Sequence, residues 1–302
     1  MFESVEEVQQ RFRDARYIAS RRVSTVVYLA ARMGRPVLIE GPAGVGKTEL
    51  AKTLSDITGR PLIRLQCYEG LDEGKALYEW KYAKQLLYTQ LLRERIGELI
   101  ADVPSLPDAV AKIAGEEHAF FSFRFLSPRP LLSAILAEQP VVLLVDEIDK
   151  AEPEFEAFLL EVLSDFQVSV PELGTVRARH VPLVVLTSNN ARGLSDGLKR
   201  RCLHLFIDFP APADELQIIR LKVPEIPAEL ARAVVAAVQK IRGLDLRKLP
   251  SVSESLDWAR SLVILNAREL DAALVESTLT LLVKHEKDLE RVKGSLDKVL
   301  AE

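Results

Sequence analysis

Cysteine is nearly absent from this chain, and histidine is sparse. Cys67 and Cys202 are the only cysteines in 302 residues. They lie far apart and outside any C-x-x-C spacing, which argues against a disulfide framework or a structural zinc site and fits a reducing cytoplasm. His118, His180, His204 and His285 are scattered, so no metal cluster is expected of them. No uncharged apolar run approaches the roughly 18 residues of a membrane-spanning helix. The opening Met1-Phe2-Glu3-Ser4-Val5-Glu6-Glu7 has neither a basic nor an apolar segment, so no secretory leader is expected. An excess of positive charge is lacking too. Forty Lys and Arg face 44 Asp and Glu, a net charge of −4, which gives no support for strong nucleic-acid affinity through bulk electrostatics.

Apolar residues are plentiful, at 48% of the chain, enough for one large domain or a core with a smaller companion. Five short apolar runs, at 36–40, 62–66, 141–145, 183–187 and 203–207, read as strands separated by helical periodicities. This is the pattern of an α/β fold, a parallel sheet covered by helices on both faces. Pro210-Ala211-Pro212 punctuates the chain. Beyond it, 214–221, 227–242, 253–265 and 270–299 read as helical throughout, which divides the chain into an α/β part, 1–210, and an all-α part, 211–302. Two interruptions are expected in the first part. One is an insertion over 75–125 that begins with Tyr78, Trp80, Tyr82 and Tyr88. The other is a hairpin made of 167–170 and 175–178 around a Pro/Gly turn. At the C-terminal end, Leu289, Val292, Leu296 and Val299 recur at helical spacing, as a helix packing on its own domain or one reserved for a partner.

The segment Gly41-Pro42-Ala43-Gly44-Val45-Gly46-Lys47-Thr48 fits G-x-x-x-x-G-K-[ST], preceded by a strand and followed by a helix that opens at Glu49. Glycines let backbone N–H groups converge on phosphate oxygens, and the helix N-terminus adds its dipole. Lys47 would reach the β- and γ-phosphates, and the Thr48 hydroxyl would ligate Mg²⁺. The run 141–145 leads into Asp146 and Glu147 at a strand C-terminus, where a parallel sheet places its ligand crevice. Asp146 would hold Mg²⁺, and Glu147 would act as general base on water. Asp149 and Lys150 read as surface or subunit-contact residues. Leu183-Val184-Val185-Leu186-Thr187-Ser188 leads to Asn189, preferred over Asn190 for an amide that holds the water between Glu147 and the γ-phosphate.

The basic end Lys199-Arg200-Arg201 could simply complement a helix dipole, or project an arginine onto a neighbour's γ-phosphate. Arg201 is the preferred residue for the second role, which would require a ring. No N-K-x-D stretch is present to read guanine, so ATP is the expected nucleotide. Tyr17 and Ile18 are candidates for the adenine pocket, or plain core residues.

Together these residues resemble the AAA+ ATPases, and within them the MoxR family. The likeness rests on the P-loop, Val145-Asp146-Glu147-Ile148-Asp149-Lys150, Thr187-Ser188-Asn189 and Leu198-Lys199-Arg200-Arg201-Cys202. Arg64-Leu65-Gln66-Cys67-Tyr68-Glu69-Gly70 and the stretch 154–165 are similar to the branch accompanying carbon monoxide dehydrogenase-type molybdenum hydroxylases. The resemblance implies an AAA+ P-loop core with a five-stranded parallel sheet, a helix-2 insertion, a pre-sensor hairpin and a helical lid. It also implies an ATP-driven chaperone that matures a metalloenzyme client, working as a hexameric ring with a von Willebrand factor A domain partner. A sensor-2 arginine is expected at the start of a lid helix, yet 251–258 contains none. Arg260 lies one turn later and reads as a surface residue. A nucleic-acid-directed AAA+ motor or loader is the alternative, with Lys81, Lys84, Arg93 and Arg95 as its local charge. A scaffold gated by nucleotide without turnover is a third reading, disfavoured by Glu147 and Asn189.

Overall fold

In the computed structural model, which describes residues 2–101, 105, 107, 108, 112, 122–171 and 173–300, the five apolar runs become strands of one parallel sheet. They are β1 (Val37–Glu40), β2 (Leu62–Gln66), β5 (Val142–Asp146), β8 (Leu183–Ser188) and β9 (Leu203–Phe206), in the spatial order β2-β5-β8-β1-β9. Alternate side chains serve opposite faces. Val37, Ile39, Val142, Leu144 and Val185 pack on one face with Phe12, Val27, Leu50 and Leu54. Leu38, Leu65, Leu143, Val145 and Leu186 pack on the other with Leu131, Leu159 and Leu198. Burial on both faces is why the inner strands β1, β5 and β8 read as continuous apolar runs rather than as alternating ones. Parallel register aligns the strand ends, pairing Glu40 with Ser188 and Gln66 with Asp146. The first residues of the loops that follow therefore meet along one rim.

Two short ribbons interrupt this frame. β3 (Tyr78–Trp80) pairs antiparallel with β4 (Leu126–Pro128) and closes the base of the insertion. Between them lie the helices Tyr82–Leu91 and Arg93–Ile100. Much of 102–121, including His118, lies outside the described residues. Tyr78 and Trp80 pack against the core, whereas Tyr82 and Tyr88 are exposed on a helix that buries none of its residues. β6 (Gln167–Val170) and β7 (Gly174–Arg177) form the expected hairpin. Its strands bury Val168 and Val170 against the helix-covered face, with Glu172 of the turn outside the described residues.

After Pro210 every described element is helical, beginning with Pro212–Lys222, Ala228–Arg242 and Val252–Ile264. These helices share an apolar cluster of their own around Trp258, whose indole N–H donates to the Thr278 hydroxyl at 2.8 Å. Beneath them Arg242 makes a fork with Glu215, both bonds 2.7 Å, with side chains 6% and 0% exposed. Ser255 Oγ and Gln239 Nε2 donate to the same carboxylate. A buried charge pair is tolerable when its remaining lone pairs are filled in this way.

The expected continuous helix over 270–299 is not found. It is divided into Ala272–Thr278, a 3-10 turn Leu279–Leu281, Glu286–Lys293 and Leu296–Leu300. Val275, Leu279, Leu282, Val283, Val292 and Val299 must all reach one core, and no single helical stripe holds that set. The chain bends around the cluster instead, with Gly294 ending one of the segments. The Leu289–Val299 pattern thus packs on its own helical part.

Candidate nucleotide site

The loop after β1 folds back through left-handed backbone. Gly41, Gly44 and Gly46 have φ of 152°, 73° and 97°. A Cβ on Gly41 would lie 1.9 Å from the Ile207 carbonyl oxygen, and one on Gly44 would lie 2.4 Å from Ser251 Oγ. Ala43 and Gly44 carry the turn, and Val45 is buried beside it. Gly46 caps the helix Lys47–Thr58 without any side-chain hydrogen bond. The first-turn N–H groups thus face the loop with no competing carboxylate or hydroxyl cap, the arrangement that receives phosphate.

Lys47 Nζ donates to Gly41 O at 2.7 Å, Pro42 O at 2.6 Å and Asn189 Oδ1 at 2.8 Å. Burial pulls its pKa below the usual lysine value, and the charges of Asp149, Asp146 and Glu147 act in the opposite direction. Thr48 Oγ1 donates to Asp146 Oδ1 at 3.0 Å, and Thr187 Oγ1 donates to the same oxygen at 2.5 Å. Arg64, from β2, donates to Asp146 Oδ2 through Nε at 3.1 Å and Nη2 at 2.6 Å.

Glu147 stands at φ 57°, and its N–H donates to Thr187 Oγ1 at 2.9 Å. That one hydroxyl fixes the turn at which the strand's two carboxylates diverge. Glu147 Oε1 accepts from Asn189 Nδ2 at 3.1 Å, and Oε2 accepts from Gln66 Nε2 at 2.9 Å. Lys150 Nζ also reaches Oε2 at 2.7 Å, a bond that raises the lysine's pKa. Asn189 therefore spans Lys47 and Glu147 through the two ends of one amide, while Asn190 is exposed.

Lys47, Thr48, Asp146, Glu147, Thr187 and Asn189 line a hollow of 250 Å³ with Ala43, Lys52 and Ser253. A second cavity of 290 Å³ shares Gly44, Gly46, Glu49 and Ser253 with it. Its apolar walls come from Tyr17, Ile18, Ile218, Val252 and Leu256. Burial raises the Tyr17 phenol well above its ordinary pKa, with Glu49 adding to the shift. The glycine loop thus adjoins an apolar slot bounded on one side by the helical part. Ser253 closes the join, its N–H donating to Gly44 O at 3.3 Å, and Lys222 reaches Glu49 at 3.0 Å.

Three sequence expectations fare differently. Asp149 is no surface residue: it is 4% exposed, and its Oδ2 accepts the N–H groups of Asn189 at 3.1 Å and Ala191 at 2.9 Å. The loop after β8 needs acceptors where the sheet ends, and this carboxylate supplies one. Arg201 is exposed and lies outside both cavities, its Nε donating to Ser164 Oγ at 2.7 Å. Arg260 is half exposed, pairs with Asp257 at 3.2 Å, and stands at the wall of the apolar slot.

Sequence reasoning missed Arg64, Gln66 and the linking role of Thr187. A signal existed for the first two. They are polar residues two apart on a short strand, hence on one face, and that face is shared with Asp146 of the neighbouring strand. Both cysteines are buried, as expected of small apolar residues, and burial pushes each thiol up to about 12.

The residues present fit a nucleoside triphosphate with a divalent cation. An uncapped helix N-terminus and an ammonium meet the phosphates, and a hydroxyl–carboxylate pair of hard oxygens stands beside them. The chain is similar to the chaperone protein ClpB of Nitratidesulfovibrio vulgaris, 25% identical over 71% of this chain and 23% of that protein. It is likewise similar to the gas vesicle ATPase GvpN of Haloferax mediterranei, 25% identical over 70% of this chain and 57% of that protein. The chain thus spans about a quarter of the ClpB relative's length. A point mutant of Thermotoga maritima RuvB matches in fold with a TM-score of 0.52 at 17% identity, over 99% of this chain and 78% of that one. The family model described as "AAA domain (dynein-related subfamily)" matches residues 36–202, more than half of the chain. That span runs from the strand before the P-loop to the end of the helix bearing Arg201, and the chain belongs to this subfamily of AAA domains.

Proposed function

We propose that this chain hydrolyses ATP as a MoxR-type AAA+ chaperone. In this reading a hexameric ring, with a von Willebrand factor A domain partner, remodels a metalloenzyme client in the cytoplasm. The client is a molybdenum hydroxylase of the carbon monoxide dehydrogenase type. Residues 1–210 act as the nucleotide-binding core and 211–302 as the lid. The observation that carries the hydrolytic part is the single amide of Asn189 placed between Lys47 and Glu147. An acceptor at 2.8 Å from the phosphate-binding ammonium and a donor at 3.1 Å from the general base align one path between them.

Mg²⁺, when bound with ATP, neutralises charge on the phosphate oxygens. Lys47 supplies a fixed positive charge on the same side. Thr48 and Asp146 present oxygen ligands already oriented by Thr187. Glu147 takes a proton from water, with Asn189 and Gln66 each donating to one of its oxygens and so fixing the carboxylate's orientation. Tyr17, Ile18, Val252 and Leu256 enclose the adenine. Arg201, exposed at a helix end, is presented to a neighbouring subunit rather than to its own hollow. The chaperone half is supported by likeness to ClpB and by Tyr82, Leu86 and Leu91, all exposed on the insertion helix.

The test uses Glu147→Gln. The variant should bind ATP as tightly as the parent while turnover falls by about 10²-fold or more, the range seen when a positioned general base is removed. Hydrolysis at the parent rate would sink the mechanism. Affinity capture with the stalled variant and ATP then tests the client. Molybdenum-hydroxylase subunits with a von Willebrand factor A protein support the reading, whereas replication or recombination factors replace it with a nucleic-acid motor.

A further inference from the structure

Asp146 is the most heavily engaged carboxylate among the described residues of the site. Its two oxygens offer about four lone-pair positions. The Thr187 hydroxyl occupies Oδ1, the Thr48 hydroxyl lies between Oδ1 at 3.0 Å and Oδ2 at 3.2 Å, and Nε and Nη2 of Arg64 both address Oδ2. Two of the three residues around it differ in kind from the third. Thr187 is 1% exposed and locked by the Glu147 N–H, and the Thr48 hydroxyl can keep donating its proton while its lone pairs face a cation. Arg64 alone is long, charged and about half exposed, on the edge strand of the sheet. It can leave the carboxylate for water without stranding a buried donor.

The geometry points to Arg64 as a built-in cationic competitor at the Mg²⁺ site. We infer that its guanidinium and a hydrated Mg²⁺ contend for the Oδ2 side of Asp146, so that Arg64 sets how much Mg²⁺ the nucleotide site requires. Two observations favour competition over simple support. First, Asp146 is already oriented by two hydroxyls, so it does not need Arg64 to hold its rotamer. Second, a guanidinium at 2.6 Å brings a full positive charge to the face that a divalent cation must approach, where like charges repel. Arg64 has somewhere to go. Its Nη2 also donates to Gln66 Oε1 at 2.5 Å, so release from Asp146 leaves one polar tether at the open strand edge. The inference rests on the proposed Mg²⁺–ATP site.

The experiment measures binding of a fluorescent, non-hydrolysable ATP analogue while Mg²⁺ is titrated, in the full chain and in Arg64→Ala, Arg64→Lys and Arg64→Gln. Removing the competitor should lower the Mg²⁺ concentration at half effect by roughly tenfold in Arg64→Ala and Arg64→Gln, the size of one lost charge-assisted contact. Arg64→Lys, keeping the charge but losing the two-pronged contact, should fall between. A thermal melt in the absence of nucleotide checks that each variant is folded. An unchanged midpoint overturns the inference, and a midpoint moved to higher Mg²⁺ overturns it in favour of a supporting role. If the parent chain itself binds no analogue at any Mg²⁺ concentration, the nucleotide site falls, and the inference with it.

Discussion

Lys47 Nζ and Asn189 Oδ1 stand 2.8 Å apart, although β8 and the P-loop helix bring them from opposite ends of the core sequence. The contact ties the Lys47 ammonium to the amide that also touches Glu147. Truncating Asn189 to Ala should therefore leave nucleotide affinity within a few-fold of the parent and cut single-turnover hydrolysis by about 10²-fold. Equilibrium titration and rapid-quench kinetics on one preparation separate the two effects. Equal losses in both would assign Asn189 to binding instead.

Gly44 is constrained twice, by φ of 73° and by Ser251 at 2.4 Å from the position of an added Cβ. Alanine there must displace the start of the helix Val252–Ile264 as well as adopt a costly backbone conformation. The variant is expected to lose about 1–3 kcal/mol of stability. Nucleotide protection in a melting assay should shrink with it, because both cavities border this residue. Full retention of both would show that the helix yields easily.

The buried pair Arg242–Glu215 and the exposed pair Arg260–Asp257 make a controlled contrast. Glu215→Ala leaves the buried Arg242 guanidinium, still bonded to Pro250 O and Ser255 Oγ and over the Phe209 ring, without its counter-charge and should cost about 3–5 kcal/mol in urea unfolding. Arg260→Ala should cost less than about 1 kcal/mol, as exposed pairs do. Comparable costs would mean that burial of the pair does not set its contribution.

Asp288 accepts the N–H groups of Arg247 at 3.0 Å and Lys248 at 3.2 Å. These bonds, that of Arg247 foremost, hold its pKa below the ordinary aspartate value. A carboxylate depressed on folding stabilises above its unfolded pKa, and the benefit is lost as pH falls from about 4 through the lower folded value. Stability curves of the parent and Asp288→Asn should therefore converge at acid pH and separate above pH 5, with the parent the more stable. Parallel curves across pH 2–7 would remove Asp288 from the acid response.

The strands and the P-loop were legible because burial on both sheet faces and glycine spacing both write strong local patterns. Asp149 was not. Nothing local distinguishes a carboxylate that stays in solvent from one whose acceptor is needed by backbone forty residues away. Arg64 and Gln66 were hidden for a related reason, since their meaning depends on β2 lying beside β5, and strand order is not a local property. The stretch 270–299 failed differently. Its apolar spacing satisfied a helix, but the three-dimensional target was a rounded core that a straight rod cannot cover. Asp146, Glu147 and Asn189 stood out because each closes an apolar strand with a polar side chain, a mark that Asp149, Arg64 and Gln66 do not carry.

The ribbon of β3 and β4 has a consequence for how this chain can vary. Tyr78 lies opposite Pro128, and Lys81 N–H donates to Phe125 O at 2.7 Å, so the two ends of the insertion are stitched together before the chain departs from the sheet. Entropy of closure grows only slowly with the length of what lies between two joined ends. The segment beyond the stitch can thus be lengthened, shortened or exchanged with little effect on the nucleotide rim. The ribbon behaves as a socket, separating changes in the inserted segment from the strand ends at Asp146 and Ser188.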